Sequence, residues 1–187
     1  MWVVANRLKG SGQSELGGSL LRSVVEVVII VAAAFVLALL IQQFVVKPYV
    51  IPSESMEPTL QRGDRVLANR FIYRFRDPER GEVVVFVPPV QSNEPFIKRV
   101  VAVGGDRVAV VDGRLYLNGE PQVEPYVKDQ TILGDFREAT VPAGSYFVMG
   151  DNRNNSGDSR VFGVIEKTAI LGQAFFVYWP LGRVGGI

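Results

Sequence analysis

Histidine and cysteine are both missing from this chain of 187 residues. Without cysteine there is no disulfide, no zinc–thiolate centre and no thioether attachment of haem. That absence is silent on compartment, since a disulfide-free protein folds on either side of a membrane. Without histidine, a serine hydrolase has no imidazole to take up the hydroxyl proton. A Ser-His-Asp arrangement is therefore excluded, and a lysine or a carboxylate must serve as the base. A surplus of one charge is missing too: 20 Lys and Arg stand against 19 Asp and Glu, for a net charge of +1, with 48% hydrophobic residues. That balance argues against a disordered chain and provides no footprint for nucleic acid, which is not expected as a partner. No cofactor or metal is expected.

What is present falls into three parts, 1–23, 24–46 and 47–187. Residues 1–23 are rich in Gly and Ser, carry Arg7, Lys9 and Arg22 against Glu15, and read as a mobile leader. From Val27 to Val46 no residue is charged, a length that at about 1.5 Å per residue covers the roughly 30 Å of a bilayer's hydrocarbon core. Glu26 stands at the entrance and Gln42 and Gln43 near the exit, where polar groups reach the headgroups. A cleaved signal peptide or a buried core helix shares this composition, and Ala32-Ala33-Ala34 offers a small-residue cut site. The apolar run continues from Phe35 to Ile41, however, so a retained transmembrane helix is predicted. The basic leader places the N terminus in the cytoplasm and the remainder outside.

Residues 47–187 predict an all-β domain, a barrel or a sandwich. Short β-branched or aromatic runs recur at Val83–Val87, Phe96–Val103, Val108–Val111, Arg114–Leu117, Tyr146–Met149 and Phe175–Trp179, separated by Gly, Pro, Asp and Asn. Asp112-Gly113 and Asn118-Gly119 are tight-turn dipeptides that tolerate positive φ. Helix is expected at most as a short turn within Glu166–Gly172.

Three segments can carry chemistry. In Pro52-Ser53-Glu54-Ser55-Met56-Glu57-Pro58-Thr59-Leu60 the prolines predict a stiff, extended segment, which points Ser53 and Ser55 to one side. That suits a nucleophile with a second hydroxyl able to donate to an oxyanion, and the same composition also suits a plain juxtamembrane linker. Lys98 alternates onto the face of Phe96, Val100 and Ala102, with Arg99 on the other. Apolar neighbours strip hydration from its ammonium and lower its pKa from about 10.4 towards the range of a general base, whereas on an edge strand the amine would snorkel to water. The third segment, Met149 to Arg160, is dense in turn formers: a polar loop, or one in which Ser156 positions the lysine while Asp158 and Arg160 brace the chain. Calcium is a weaker reading, because the spacing is not that of an EF-hand.

These segments, taken in order behind the apolar helix and with Gly104-Gly105-Asp106 following Lys98-Arg99-Val100-Val101, resemble bacterial type I signal peptidase from about residue 25 to the end. The resemblance implies a membrane-bound serine endopeptidase with a β-rich catalytic domain, a Ser/Lys dyad of Ser55 and Lys98, and no cofactor. It implies that Ser53 joins the Ser55 N–H in an oxyanion hole, that Ser156 orients Lys98, that Met56 walls the site, and that Asp151, Asp158 and Arg160 are structural. The implied partners are signal-peptide-bearing preproteins, cut after small residues of Ala-x-Ala type, and the cytoplasmic membrane, with the enzyme monomeric. Phe71-Ile72-Tyr73 and Phe75 are candidates for membrane contact or for core. The chain departs from some members in having one anchor rather than two and no long insertions. Two other functions fit parts of the chain: a tethered, non-catalytic β domain, and a processing peptidase with few clients.

Overall fold

The computed structural model describes residues 12–187. Two compact units divide at residues 43 and 44. The first is helix α1, Gly12–Phe44. Among the described residues it is the one helix long and apolar enough to cross a membrane, over Arg22–Leu39, and its valines, leucines and isoleucines from Val24 to Leu39 are exposed. The first half of the predicted leader lies outside the described residues, but residues 12–23 are helical rather than a loose leader. A helix begun in the apolar run extends over Ser, Gln and Gly at a small cost per residue. At its far end the helix stops at Phe44, and Val46, predicted as part of the anchor, opens a strand.

The second unit is built from twelve strands: β1 (Val46–Val50), β2 (Arg65–Asn69), β3 (Val83–Phe86), β4 (Phe96–Val103), β5 (Arg107–Val111), β6 (Arg114–Leu117), β7 (Glu120–Pro121), β8 (Phe136–Thr140), β9 (Ser145–Met149), β10 (Ile165–Glu166), β11 (Ile170–Trp179) and β12 (Gly185–Gly186). They form a large antiparallel sheet in the order β1-β2-β11-β3-β4-β9-β10, with β12 on β11, and a small one in the order β7-β6-β5-β8. The all-β expectation holds. Every predicted strand is present, while β1, β2 and β8 and the two-residue strands β7, β10 and β12 were not foreseen. β8, Phe-Arg-Glu-Ala-Thr, lies on a sheet edge and buries little beyond part of Phe136, so its sequence carries no apolar alternation.

The central strands β3, β4 and β9 of the large sheet are buried on both faces, which explains their nearly unbroken apolar runs. In β3, Val83 and Val85 join Ile97 in one core, while Val84 and Phe86 join Val100 and Val148 in another. A register shift between Val100 and Ala102, where β4 pairs with β9, passes β4 on to a third core under the small sheet. Ala102 consequently belongs with Val101 in that third core and not with Val100, against the simple alternation predicted for it. Asp112 and Asn118 adopt φ of 49° and 55°, as their Asp-Gly and Asn-Gly turns require. Gly172 admits β11 against β2, since a Cβ there would lie 2.6 Å from the Asn69 carbonyl oxygen.

Helix is scarce in this unit. The turn expected within Glu166–Gly172 is a 3-10 turn at Lys167–Ala169. Three pieces were unforeseen: α2 (Ser159–Phe162), capped by Asp158, a 3-10 turn at Leu181–Arg183, and a 3-10 turn at Ile72–Arg74. The last sorts the aromatic cluster. Tyr73 is buried with its hydroxyl donating to Glu82 at 3.0 Å, whereas Phe75 is 75% exposed and meets Phe71 edge-on.

Candidate active site

The segment 51–64 leaves β1 and returns to β2 as a closed loop. Ile51 N–H donates to Asp64 O at 2.9 Å, and Gly63 N–H donates to Ile51 O at 2.8 Å. Within it the chain turns rather than extends: Glu57 N–H reaches Glu54 O, and Leu60 N–H reaches Met56 O. The extended reading of Pro52–Leu60 is thus corrected. Fully buried Met56 and Leu60 pull the chain into the core with Ile51, and satisfying the backbone there requires local turns. The two hydroxyls are nonetheless neighbours, with Ser53 Oγ 3.3 Å from Ser55 Oγ.

β4 lies between β3 and β9, so Lys98 sits in an interior strand opposite Val84 and the edge-strand alternative falls away. The residue is 5% exposed. Its Nζ donates to Ser55 Oγ at 2.7 Å and to Ile97 O at 3.0 Å. Burial pushes the amine down from 10.5 to about 8, with the Asp158 and Asp151 carboxylates pulling the other way. An amine of that pKa, touching a buried hydroxyl, can exchange a proton with it near neutral pH.

The 150–160 loop lies against this pair. Asn152 holds the neighbouring peptides, its backbone N–H on Ser55 O and its Nδ2 on Glu54 O, both at 3.1 Å. Gly150 leaves room for that approach, because a Cβ on it would stand 2.3 Å from Ser55 O and 2.4 Å from Ser156 Oγ. Ser156 Oγ is buried without a hydrogen-bond partner and makes no bond to Lys98 in this state. Asp158 caps α2, accepts the Gly150 N–H at 3.2 Å and takes two bonds from the Arg160 guanidinium, each 2.8 Å.

Asp151 is fully buried and bound by Arg99 through Nε at 2.8 Å and Nη2 at 2.6 Å, with Thr59 Oγ1 donating at 2.6 Å. This brace joins the residue after Lys98, the 51–64 loop and the 150–160 loop. Arg99, Thr59, Asn152 and Arg153 lie within the segments singled out in the sequence, but no role was assigned to them there. Arginines and polar side chains in strands and loops usually face water, and only the contacts show that these are enclosed.

An apolar cleft of about 280 Å³ is lined by Tyr49, Val50, Ile51, Pro52, Val85, Pro95 and Ile97, with Glu94 as its only charged lining residue. Ile97 and Pro52 are sequence neighbours of Lys98 and Ser53, and neither Ser55 nor Lys98 lines the cleft itself.

Comparison with known proteins supplies a family. The family model described as "Signal peptidase, peptidase S26" matches residues 24–179. A "Probable signal peptidase I-2" of Synechocystis sp. is 43% identical over 81% of this chain and 72% of its own. "Signal peptidase IB" of Staphylococcus aureus (strain COL) is 38% identical over 87% of this chain and 93% of its own. A solved signal peptidase I from Enterococcus faecalis V583 is 32% identical, covering 52% of this chain and 97% of its own at a TM-score of 0.46. With the family model running from the apolar helix to the last long strand and relatives matched over most of their length, the chain belongs to the signal peptidase family, peptidase S26, whose members are serine endopeptidases that remove signal peptides from preproteins.

Proposed function

We propose that this chain cuts signal peptides with a Ser/Lys dyad in which Ser55 is the nucleophile and Lys98 the general base. The observation that carries the reading is the 2.7 Å bond from Lys98 Nζ to Ser55 Oγ inside an enclosed site. Neutral Lys98 takes the Ser55 proton as Oγ attacks the scissile carbonyl, and the ammonium then gives that proton to the departing amine. The resulting ester is hydrolysed by water that the same amine deprotonates. Ser53 and the Ser55 N–H stabilise the oxyanion. Ser156 Oγ, buried and unpaired beside Gly150, is the acceptor we assign to the ammonium that forms. Met56 closes one wall of the site, while Asp151, Asp158 and Arg160 hold its loops. The apolar cleft, of about 280 Å³, suits small side chains, in keeping with cleavage after Ala-x-Ala.

In the same reading α1 anchors the β unit, as a monomer, to the outer side of the cytoplasmic membrane, with residues 1–23 in the cytoplasm and the helix crossing from about residue 24 to its end at Phe44. Phe71 and Phe75, exposed and interspersed with Arg70, Arg74 and Arg76, are the residues this reading assigns to the bilayer–water interface. Aromatic rings flanked by arginines favour that interface.

Two measurements test the dyad. Cleavage of a precursor in detergent or liposomes rises with pH through about 8, because only neutral Lys98 accepts the proton and at pH 7 about a tenth of it is neutral. A rate flat from pH 6 to 9, with chemistry limiting, counts against Lys98 as base. Ser53→Ala lowers kcat by about 10²–10³-fold with KM little changed, as loss of one oxyanion donor does. Unaltered turnover removes Ser53 from that role.

A further inference from the structure

Residues 122–135, between β7 and β8, lie outside all three sequence segments that carry the chemistry, yet they are bonded to the loops that hold it. Glu124 is the centre of these contacts. Its carboxylate takes both Nη groups of Arg153, the Nη2 bond measuring 2.7 Å, in an ion pair whose side chains are 0% and 9% exposed. Arg153 Nε donates in turn to Gly150 O at 3.0 Å. Tyr126 OH donates to Glu124 Oε1 at 2.8 Å, and the Tyr126 ring lies 4.1 Å from the Arg99 guanidinium carbon.

Both routes end one residue from the chemistry. Arg99 follows Lys98 and grips Asp151. A Cβ on Gly150 would stand 2.3 Å from Ser55 O, so the segment leaves no room there for a larger residue. Lys128 adds a third tie, its N–H on Asp151 O at 3.0 Å and its Nζ on Glu57 at 2.8 Å. The exposed Lys128–Glu57 pair contributes little, whereas removing the carboxylate from an enclosed arginine strands a buried charge that must move to find a partner. The nearest acceptor it already holds is Gly150 O.

We propose that Glu124 is a positioning residue for signal-peptide cleavage: its carboxylate, acting through Arg153 and Tyr126, sets the spacing between the segments that carry Ser55 and Lys98. The inference rests on the dyad reading above.

The test compares full-length wild type, Glu124→Gln, Glu124→Asp, Tyr126→Phe and Ser55→Ala in detergent, measuring kcat and KM for a precursor per folded molecule, with the folded fraction taken from circular dichroism. Glu124→Gln lowers kcat by roughly ten- to a hundredfold with KM within about twofold, the effect of a sub-ångström to ångström misplacement. Glu124→Asp recovers part of the loss. Should Glu124→Gln fail to fold, Tyr126→Phe, which deletes one bond to Glu124 and keeps the ring against Arg99, lowers kcat severalfold. Wild-type kcat per folded molecule in Glu124→Gln or, where that variant does not fold, in Tyr126→Phe overturns the proposal, even if the melting temperature falls. Equal loss in the Gln and Asp variants overturns the role of the carboxylate. An active Ser55→Ala enzyme overturns the dyad itself, a failure distinct from an inactive Ser55→Ala beside an unaffected Glu124→Gln.

Discussion

Ser55→Ala and Lys98→Met each leave no measurable cleavage of a signal-peptide-bearing precursor, a loss on the order of 10⁴-fold or more, as when one member of a nucleophile–base unit is removed. Alanine deletes the atom that attacks, and methionine fills the lysine's volume without a group that takes the proton. The two variants part company in stability. Burial holds the Lys98 pKa near 8 against 10.5, so between those values the unfolded chain binds more protons than the folded one, and stability from this residue rises with pH across the window. Below pH 8 the folded protein carries the full cost of the enclosed charge, about 3 kcal/mol at 1.36 kcal/mol per unit. Lys98→Met is therefore more stable than wild type at pH 7 by up to about 3 kcal/mol, and the gap closes as pH approaches 10.5. Denaturant melts at pH 7 and pH 10 measure it. A Lys98→Met protein less stable than wild type at pH 7 means that the amine's bonds to Ser55 and Ile97 outweigh its desolvation. Cleavage by either variant sinks the dyad.

Gly150→Ala loses both stability and activity, while Gly157→Ala, in the same loop, loses neither. The added methyl on Gly150 would stand 2.3 Å from Ser55 O, an atom already held by the Asn152 N–H, and 2.4 Å from Ser156 Oγ. The Ser55 backbone on one side and the Ser156 side chain on the other must give way. Overpacking of this kind costs about 1–3 kcal/mol where side chains can adjust, and this clash falls at the upper end or beyond. Because the displaced peptide is that of Ser55, cleavage per folded molecule falls on the order of 10²-fold as well. Gly157 has nothing within 4 Å of its Cβ position and is not in a left-handed conformation. Its replacement is neutral or slightly stabilising, by up to about 1 kcal/mol through the unfolded chain. Thermal melts and precursor cleavage of the two variants decide the matter. A Gly150→Ala protein as stable and active as Gly157→Ala would show that the 150–160 loop does not hold Ser55 in place.

Much of this protein was legible one segment at a time. The missing histidine excluded an imidazole base. The apolar run from Val27 announced the helix, and runs such as Val83–Val87 announced strands, because period and composition are local properties. The Asp-Gly and Asn-Gly turns followed from the positive φ those residues tolerate. Where the reading went wrong, distant residues had intervened. Pro52–Leu60 turns because Met56 and Leu60 are drawn into a core built by β3, β4 and β11. Ala102 changes core because β9 imposes a register shift on β4.

The sequence by itself determined the classes of group available: a hydroxyl pair, one lysine in an apolar strand, a polar loop, and no imidazole or thiol. Only the tertiary structure decided whether that lysine is a snorkelling surface cation or an enclosed amine. β4 lies inside the sheet, so water is excluded, the charged form is penalised and Nζ meets Ser55 Oγ. The same holds for Glu124, Arg153 and Arg99, ordinary surface residues by type. Burial and charge pairing are properties of three-dimensional neighbours, and those neighbours come from strands and loops far apart in the chain.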